Sequence, residues 1–150
     1  MKTTRTIIIL YSILLLTGIS ACKKNKGCTD KNATNYNVDA NQDDGSCAYT
    51  SYIVFWYNIT TANNLGAAGY TNLNVNINGA NTGTYPAGTH FATAPTCGQA
   101  TSMTVTIPLT NVTSENINYS ITDAIHGTVI WSGALEVMAS GCIKQYLTYP

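Results

Sequence analysis

The chain has little charge and lacks a hydrophobic run long enough to span a membrane. Only 7 basic and 7 acidic residues occur among its 150 residues. The longest apolar stretch is Ile7–Leu16, well short of the roughly 20 residues that a membrane-spanning helix needs. A nucleic-acid partner is also excluded, because each phosphate contact requires a cation and no basic surface is available.

Motifs for catalysis are missing as well. There is no CxxC pair for a zinc ribbon or a redox site, and no GxSxG, HExxH or glycine-rich phosphate loop. A hydrolase would need a pocket that brings His90 or His126 together with Asp123 or Glu115. Each histidine lies beside chain breakers or a turn glycine, so we interpret both as surface residues and predict that the protein is not an enzyme.

The first 22 residues determine the compartment. Two positive charges precede the apolar stretch and small residues follow it, a pattern that predicts a cleaved signal peptide over residues 1–21. The sequence Ile19-Ser20-Ala21-Cys22 resembles the lipobox of bacterial lipoproteins. The resemblance implies that Cys22 becomes the first mature residue and carries two or three acyl chains, enough for a durable membrane anchor. Ordinary secretion with a free Cys22 is the alternative.

Residues 22–26 form the expected tether between the lipid and the folded protein. In lipoproteins of the Bacteroidota, surface export is associated with acidic residues soon after the lipidated cysteine, whereas Lys23, Lys24 and Lys26 are basic. We therefore expect an anchor in the outer membrane and leave the periplasmic and surface faces both open. The mature chain would hold five lysines and seven acidic residues, a formal net charge of minus two.

The remaining cysteines predict two disulfides. Cys28, Cys47, Cys97 and Cys142 are an even number and can all pair in an exported protein. Most charges precede residue 45, whereas residues 51–150 rely on Asn, Thr and Ser, so we place a domain boundary near Tyr49–Ser51. Three connectivities exist. Cys28–Cys47 with Cys97–Cys142 is favoured, because each bridge then stays within one compositional unit.

Residues 27–49, GCTDKNATNYNVDANQDDGSCAY, resemble a short repeat of exported Bacteroidota proteins with the form GCTDxxAxNYNxxAxxDDGSCxY. The repeat implies no established activity. The segment is too short to build a core, so a disulfide is the expected support. Asp39, Asn41, Asp43 and Asp44 offer oxygen atoms for a weak Ca²⁺ site, or for turns in which they bond only their own backbone.

From residue 51 onward, apolar residues alternate with polar ones, as they do in β-strands. The strands are predicted at Tyr52–Ile59, Tyr70–Asn78, Ser102–Leu109, around Ile117–Ile121, Thr128–Met138 and Cys142–Thr148. We interpret Asn63–Gly69 as a loop and Asn81–Gly83 as a turn, and no segment after Cys22 has helical spacing. The predicted fold is all-β, an immunoglobulin-like or transthyretin-like β-sandwich of about seven strands behind the small disulfide module.

The part of the chain that runs from Thr96-Cys97-Gly98 through Trp131-Ser132-Gly133 to Gly141-Cys142 resembles a β-domain of Bacteroidota lipoproteins. The resemblance implies the fold and a Cys97–Cys142 bridge but no chemistry. Among the aromatic residues, Trp56 and Tyr85 are the candidates for exposed ligand contacts, whereas Trp131 shares a strand face with apolar neighbours.

The predicted function is a non-catalytic, lipid-anchored protein of the cell envelope that binds or scaffolds another envelope protein or a glycan. The alternative is a carbohydrate-binding or adhesive module that uses exposed aromatic side chains. Apart from a weak Ca²⁺ site, no cofactor is expected.

Overall fold

The computed structural model describes residues 23–150, so Cys22 and the predicted signal peptide lie outside the described residues. The described part is mostly β, with one short helix and two disulfides. Its elements are β1 Lys26–Gly27, β2 Gln42–Asp43, β3 Ala48–Trp56, α1 Ile59–Ala67, β4 Asn72–Ile77, β5 Ala80–Pro86, β6 Met103–Thr110, β7 Ser114–Asp123, β8 Val129–Met138 and β9 Cys142–Tyr146. Within residues 23–150, no helix has the length and hydropathy needed to cross a bilayer.

The strands form three small sheets. Strands β1 and β2 make a two-residue parallel pair. A three-stranded sheet has the order β6-β3-β9, in which β3 is antiparallel to β6 and parallel to β9. A four-stranded antiparallel sheet has the order β5-β4-β7-β8.

The two larger sheets share one apolar core. The Phe55 ring of β3 lies 4.9 Å from the Tyr119 ring of β7, centroid to centroid, which joins the sheets across the core. The alternation predicted for β4 and β6 is confirmed, since each predicted inward residue is at most 8 % exposed. These residues are Leu73, Val75, Ile77, Met103, Val105, Ile107 and Leu109. Burying one such side chain contributes about 1.5–3 kcal/mol.

The predicted loop at Asn63–Gly69 is wrong, because most of it belongs to helix α1. The Asn58 side chain caps the first turn by accepting a hydrogen bond from the Thr61 amide at 3.1 Å. At the other end, Gly69 adopts a positive φ of 84°, and the Tyr70 amide returns to the Leu65 carbonyl at 3.0 Å. The Leu65 side chain is fully buried, so core packing holds a helix that its weak helix-forming residues do not indicate.

The predicted turn at Asn81–Gly83 is also wrong, since these residues belong to β5. The chain reverses earlier, at Asn78–Gly79, where φ is 49° and 82°. Two consecutive positive φ values are those of a type I′ hairpin, which an Asn-Gly pair favours. The exposed side chains of β5 are mainly polar, which made this strand look irregular in the sequence.

Strand β8 is less buried than its apolar pattern predicted. Of the predicted inward face, only Val137 is fully buried, whereas Val129 is 57 % exposed and Trp131 and Leu135 are half-buried. Strand β8 is the last strand of the four-stranded sheet, which faces a sheet of only three strands. A register shift also pairs Trp131 with Ile121 but Val129 with Thr122, so Val129 does not lie on the inward face with Trp131.

The small cysteine module packs directly against the sheets. Its disulfide joins Cys28 to Cys47, and β3 begins at the next residue and continues across the proposed boundary. The Tyr49 hydroxyl donates a hydrogen bond to Asp30 Oδ2 at 2.8 Å. Because Ala33 lies in the same buried cluster as the residues of the sheets, the module and the sheets share one core.

Candidate functional site

A long loop crosses the outer face of the three-stranded sheet, the face turned away from the shared core. We call this loop, residues 87–102, the strap. Cys97 in the strap is bridged to Cys142 of β9, and the next amide, that of Gly98, donates to Thr104 Oγ1 of β6 at 3.1 Å. Since β3 lies between β6 and β9, the strap crosses β3. It passes over Val54, which pairs with Thr104 and is fully buried although it points away from the main core.

Trp56 lies on the same outer face beside Tyr146 of β9, with the ring centroids 4.6 Å apart. The Tyr146 side chain is 40 % exposed, whereas Trp56 is half-buried. The indole Nε1 of Trp56 is buried and has no hydrogen-bond partner among residues 23–150. The two rings therefore offer a partly accessible aromatic pair, which is less open than the platform predicted for Trp56.

Tyr85 lies on a different surface from Trp56. It pairs with the buried Leu73 on β4 and so faces inward, and its hydroxyl donates to the Thr104 carbonyl at 3.0 Å. Burial raises the pKa of the Tyr85 phenol above its ordinary value. The structure thus uses Tyr85 to connect β5 to β6 and does not bring it together with Trp56.

The outer face also carries Lys144 and Tyr52, which the sequence reasoning did not select. Lys144 pairs with Val54, is exposed and is the only lysine or arginine between positions 51 and 150. Tyr52 is 37 % exposed and lies on β3 two residues before Val54, whereas Trp56 lies two residues after it. In the sequence, Tyr52, Val54 and Trp56 alternate with apolar residues. A period of two could therefore have placed Tyr52 on the same face as Trp56. Lys144 required knowledge of the β3–β9 register.

Three of the four candidate calcium ligands accept hydrogen bonds from backbone amides. Asp43 Oδ1 accepts a hydrogen bond from the Gly45 amide at 2.9 Å, and Asp44 Oδ1 accepts one from the Ser46 amide at 3.0 Å. Hydrogen bonding from the Ser46 side chain, and then from its amide, holds the pKa of Asp44 below its ordinary value. Asn41 Oδ1 accepts from the Asn25 amide at 3.0 Å.

The same side chains do not form a cluster of ligands. Asp39, Asp43 and Asp44 do not converge, and no group of three or more His, Cys, Asp or Glu side chains suited to a metal occurs in residues 23–150. Asp43 and Asp44 each bond the amide two residues further on, which is the geometry of an Asx turn, whereas Asn41 bonds a residue 16 positions away.

Asp123 and His126 form a pair in the turn between β7 and β8. His126 Nδ1 lies 2.8 Å from Asp123 Oδ2, and the His126 amide donates to the same oxygen at 2.6 Å. These contacts, led by the amide hydrogen bond, hold the pKa of the Asp123 carboxyl below its ordinary value. Asp123 is 1 % exposed, whereas the His126 side chain is 73 % exposed.

A hydrolase would need this histidine–carboxylate pair to lie in a pocket. The pair lies on an exposed turn instead, and within the described residues His126 makes no hydrogen bond to a hydroxyl that could act as a nucleophile. The hydrogen bond from the His126 amide to Asp123 Oδ2 closes the turn, whereas the buried Oδ1 has no hydrogen-bond partner among residues 23–150.

A cleft of about 170 Å³ lies where the module meets the start of β3. Its lining includes the carboxylate of Asp43, the apolar side chain of Val112 and the ring of Tyr49. Tyr49 is already bonded to Asp30, and this bond raises the pKa of the Tyr49 phenol. One carboxylate and a committed phenol do not make an acid–base pair, so the cleft offers no evident catalytic chemistry.

Comparisons with known protein families, with curated proteins and with solved structures found no match to this chain.

Proposed function

We propose that the protein is a non-catalytic, lipid-anchored component of the cell envelope with a binding or scaffolding role. The observation that carries this proposal is the pair of disulfides, Cys28–Cys47 and Cys97–Cys142, which are the pairs favoured from the sequence. Stable disulfides belong to oxidising compartments such as the periplasm and the cell surface. Together with the lipobox-like sequence that ends at Cys22, they support export followed by lipidation.

The strand order supports the finer description of the fold as a transthyretin-like β-sandwich. Two sheets face each other across one core, with the orders β6-β3-β9 and β5-β4-β7-β8. An immunoglobulin constant domain instead has its first, second, fourth and fifth strands in one sheet. Here the first strand of the seven, β3, is separated from the second, β4, so the transthyretin-like alternative is favoured.

The geometry suits a domain held at one end. Lys23, the first described residue, leads into the module, and the module packs beside the start of β3. Helix α1 and the β7–β8 turn lie at the opposite end of β3, β4 and β7. A lipid on Cys22 would therefore lie at the module end and leave the outer face, with Tyr146 and Lys144, open to a partner.

We expect the purified native protein, measured by intact mass without reduction, to lack residues 1–21, to carry acyl chains and to contain no free thiol. A Cys22→Ser variant should lose the lipid mass and leave the membrane fraction, because the sulfur that forms the thioether is gone. Cys28→Ser is the matched control, which loses one bridge but keeps the lipid. An intact leader together with four reduced thiols would contradict the proposal.

A second candidate is carbohydrate binding, which the Trp56–Tyr146 pair favours because aromatic rings stack on sugar rings. We expect Trp56→Ala to abolish binding on a glycan array, and Trp131→Phe, at the other tryptophan, to retain it. An array on which the unmodified protein binds no glycan would dispose of this candidate and leave the scaffolding role in place.

A further inference from the structure

The edge strands of the two larger sheets differ in how well they are protected from pairing with another chain. An unprotected edge presents unpaired backbone groups, and proline, lysine or side-chain caps normally block it. Strand β5 ends at Pro86, and β6 contains Pro108. Strand β9 carries Lys144, and the Gln145 side chain donates to the Tyr146 carbonyl at 3.0 Å.

Between Trp131 and Val137, strand β8 has none of these protections. Outside that stretch its edge is interrupted, by a register shift between Trp131 and Val129 and by the Ser51 hydroxyl and Gly141 amide, which donate to the Met138 carbonyl. The strand is 10 residues long, contains neither proline nor lysine, and has Glu136 as its single charge. The Asn78 amide donates to the Asn118 carbonyl at 2.8 Å, so Asn118 of β7 bonds toward β4. The backbone hydrogen bonds of successive strand residues point to alternate sides of the strand. Those of Tyr119 therefore point toward Gly133 of β8. The backbone groups of Ser132 and its alternate neighbours therefore point away from the sheet.

The side chains of β8 add an apolar surface next to this open edge. Val129 is 57 % exposed, and Trp131 and Leu135 are half-buried. The tail after β9 reaches β8 only through a side chain, with the Trp131 indole donating to the Thr148 carbonyl at 2.7 Å. In the described part of the chain, no backbone bond from the tail occupies the open side of β8.

We propose that β8 pairs in antiparallel fashion with β8 of a second copy of this chain, about a twofold axis at Gly133. In this register Trp131 lies opposite Leu135 of the second copy. The outward-bonding residues Ser132 and Ala134 also lie opposite each other, so their backbone groups satisfy one another. Such a pairing uses the same surface on both copies and closes as a dimer.

The sequence of β8 favours its own copy over an unrelated strand. Around Gly133 the inward positions are apolar on both sides and the nearest neighbours, Ser132 and Ala134, are small, so the strand is self-complementary in this register. Glu136 lies three residues from the axis, so the two glutamates are at opposite ends of the pairing and like charges do not lie face to face. The edge offers no charge pattern that would select a foreign peptide.

The variant Ala134→Lys tests this pairing. Ala134 is exposed and outward-facing, so the lysine leaves the core intact but places two ammonium groups near the twofold axis. By sedimentation equilibrium of the mature protein in detergent, we expect the unmodified protein to be dimeric and Ala134→Lys to raise its dissociation constant at least about tenfold. Thr106→Lys, at an exposed position of the protected edge strand β6, should remain dimeric.

Far-UV circular dichroism establishes that each variant is folded, and Ser132→Lys serves as the second disrupting variant if Ala134→Lys is not. A monomeric unmodified protein would overturn the proposal, and so would a dimer that survives the lysine on β8. The outcome is independent of the lipid on Cys22, since the pairing uses only residues of β8.

Discussion

Replacing both Cys97 and Cys142 by serine is expected to lower the free energy of unfolding by about 4 kcal/mol, because the bridge closes a loop of 45 residues and the chain-entropy cost of an unfolded loop grows with its length. The same change releases the strap from β9. We therefore expect Val54 and Trp56 to become accessible to water. Urea denaturation measures the first effect, and Trp56 fluorescence in a Trp131→Phe background measures the second.

The control for this experiment is the other disulfide. Replacing Cys28 and Cys47 by serine opens a loop of 19 residues and should cost about 3 kcal/mol. The fluorescence of Trp56 should not change, because the module packs at the opposite end of β3. A strap variant that loses stability while the Trp56 emission stays constant would show that the strap does not cover this face.

The strands that sequence reasoning located correctly are those whose two faces meet different environments. In β4, Leu73 and Val75 are buried while the asparagines between them are not. In β7, Ile117 and Ile121 are buried among polar neighbours. Packing one face of a sheet against another sheet imposes a period of two on the sequence, and this period can be detected without a structure.

Helix α1 could not be found in that way because its stability comes from the tertiary structure. Its segment, ITTANNLGA, is rich in Thr, Asn and Gly, which form helices poorly in isolation. The two end signals, Asn58 as cap and Gly69 just past the last turn, are present in the sequence but are weak alone. Strand β5 was missed for a related reason, since polar side chains dominate its exposed positions.

The candidate site was only partly predictable because it depends on how the strands pair. The disulfide partners followed from the uneven distribution of charge along the chain. Trp56 and Tyr85 looked equally open in the sequence, yet Tyr85 faces inward because β5 exists and pairs with β4 at Leu73. Lys144 joins the outer face only through the parallel pairing of β9 with β3, and residue spacing along the chain does not encode that register.

Leu65→Ala tests whether packing is what holds helix α1 in place. Leu65 is fully buried, and removing a buried leucine side chain costs about 2–5 kcal/mol, measured by urea denaturation. Asn63→Ala, at an exposed position of the same helix, should instead raise stability by about 0.5 kcal/mol, because alanine is the better helix former. If Leu65→Ala costs no more than an exposed substitution, α1 is not docked on the core. Opposite signs for the two substitutions would mean that the core, through one leucine, imposes helical structure on a segment whose own residues do not favour it.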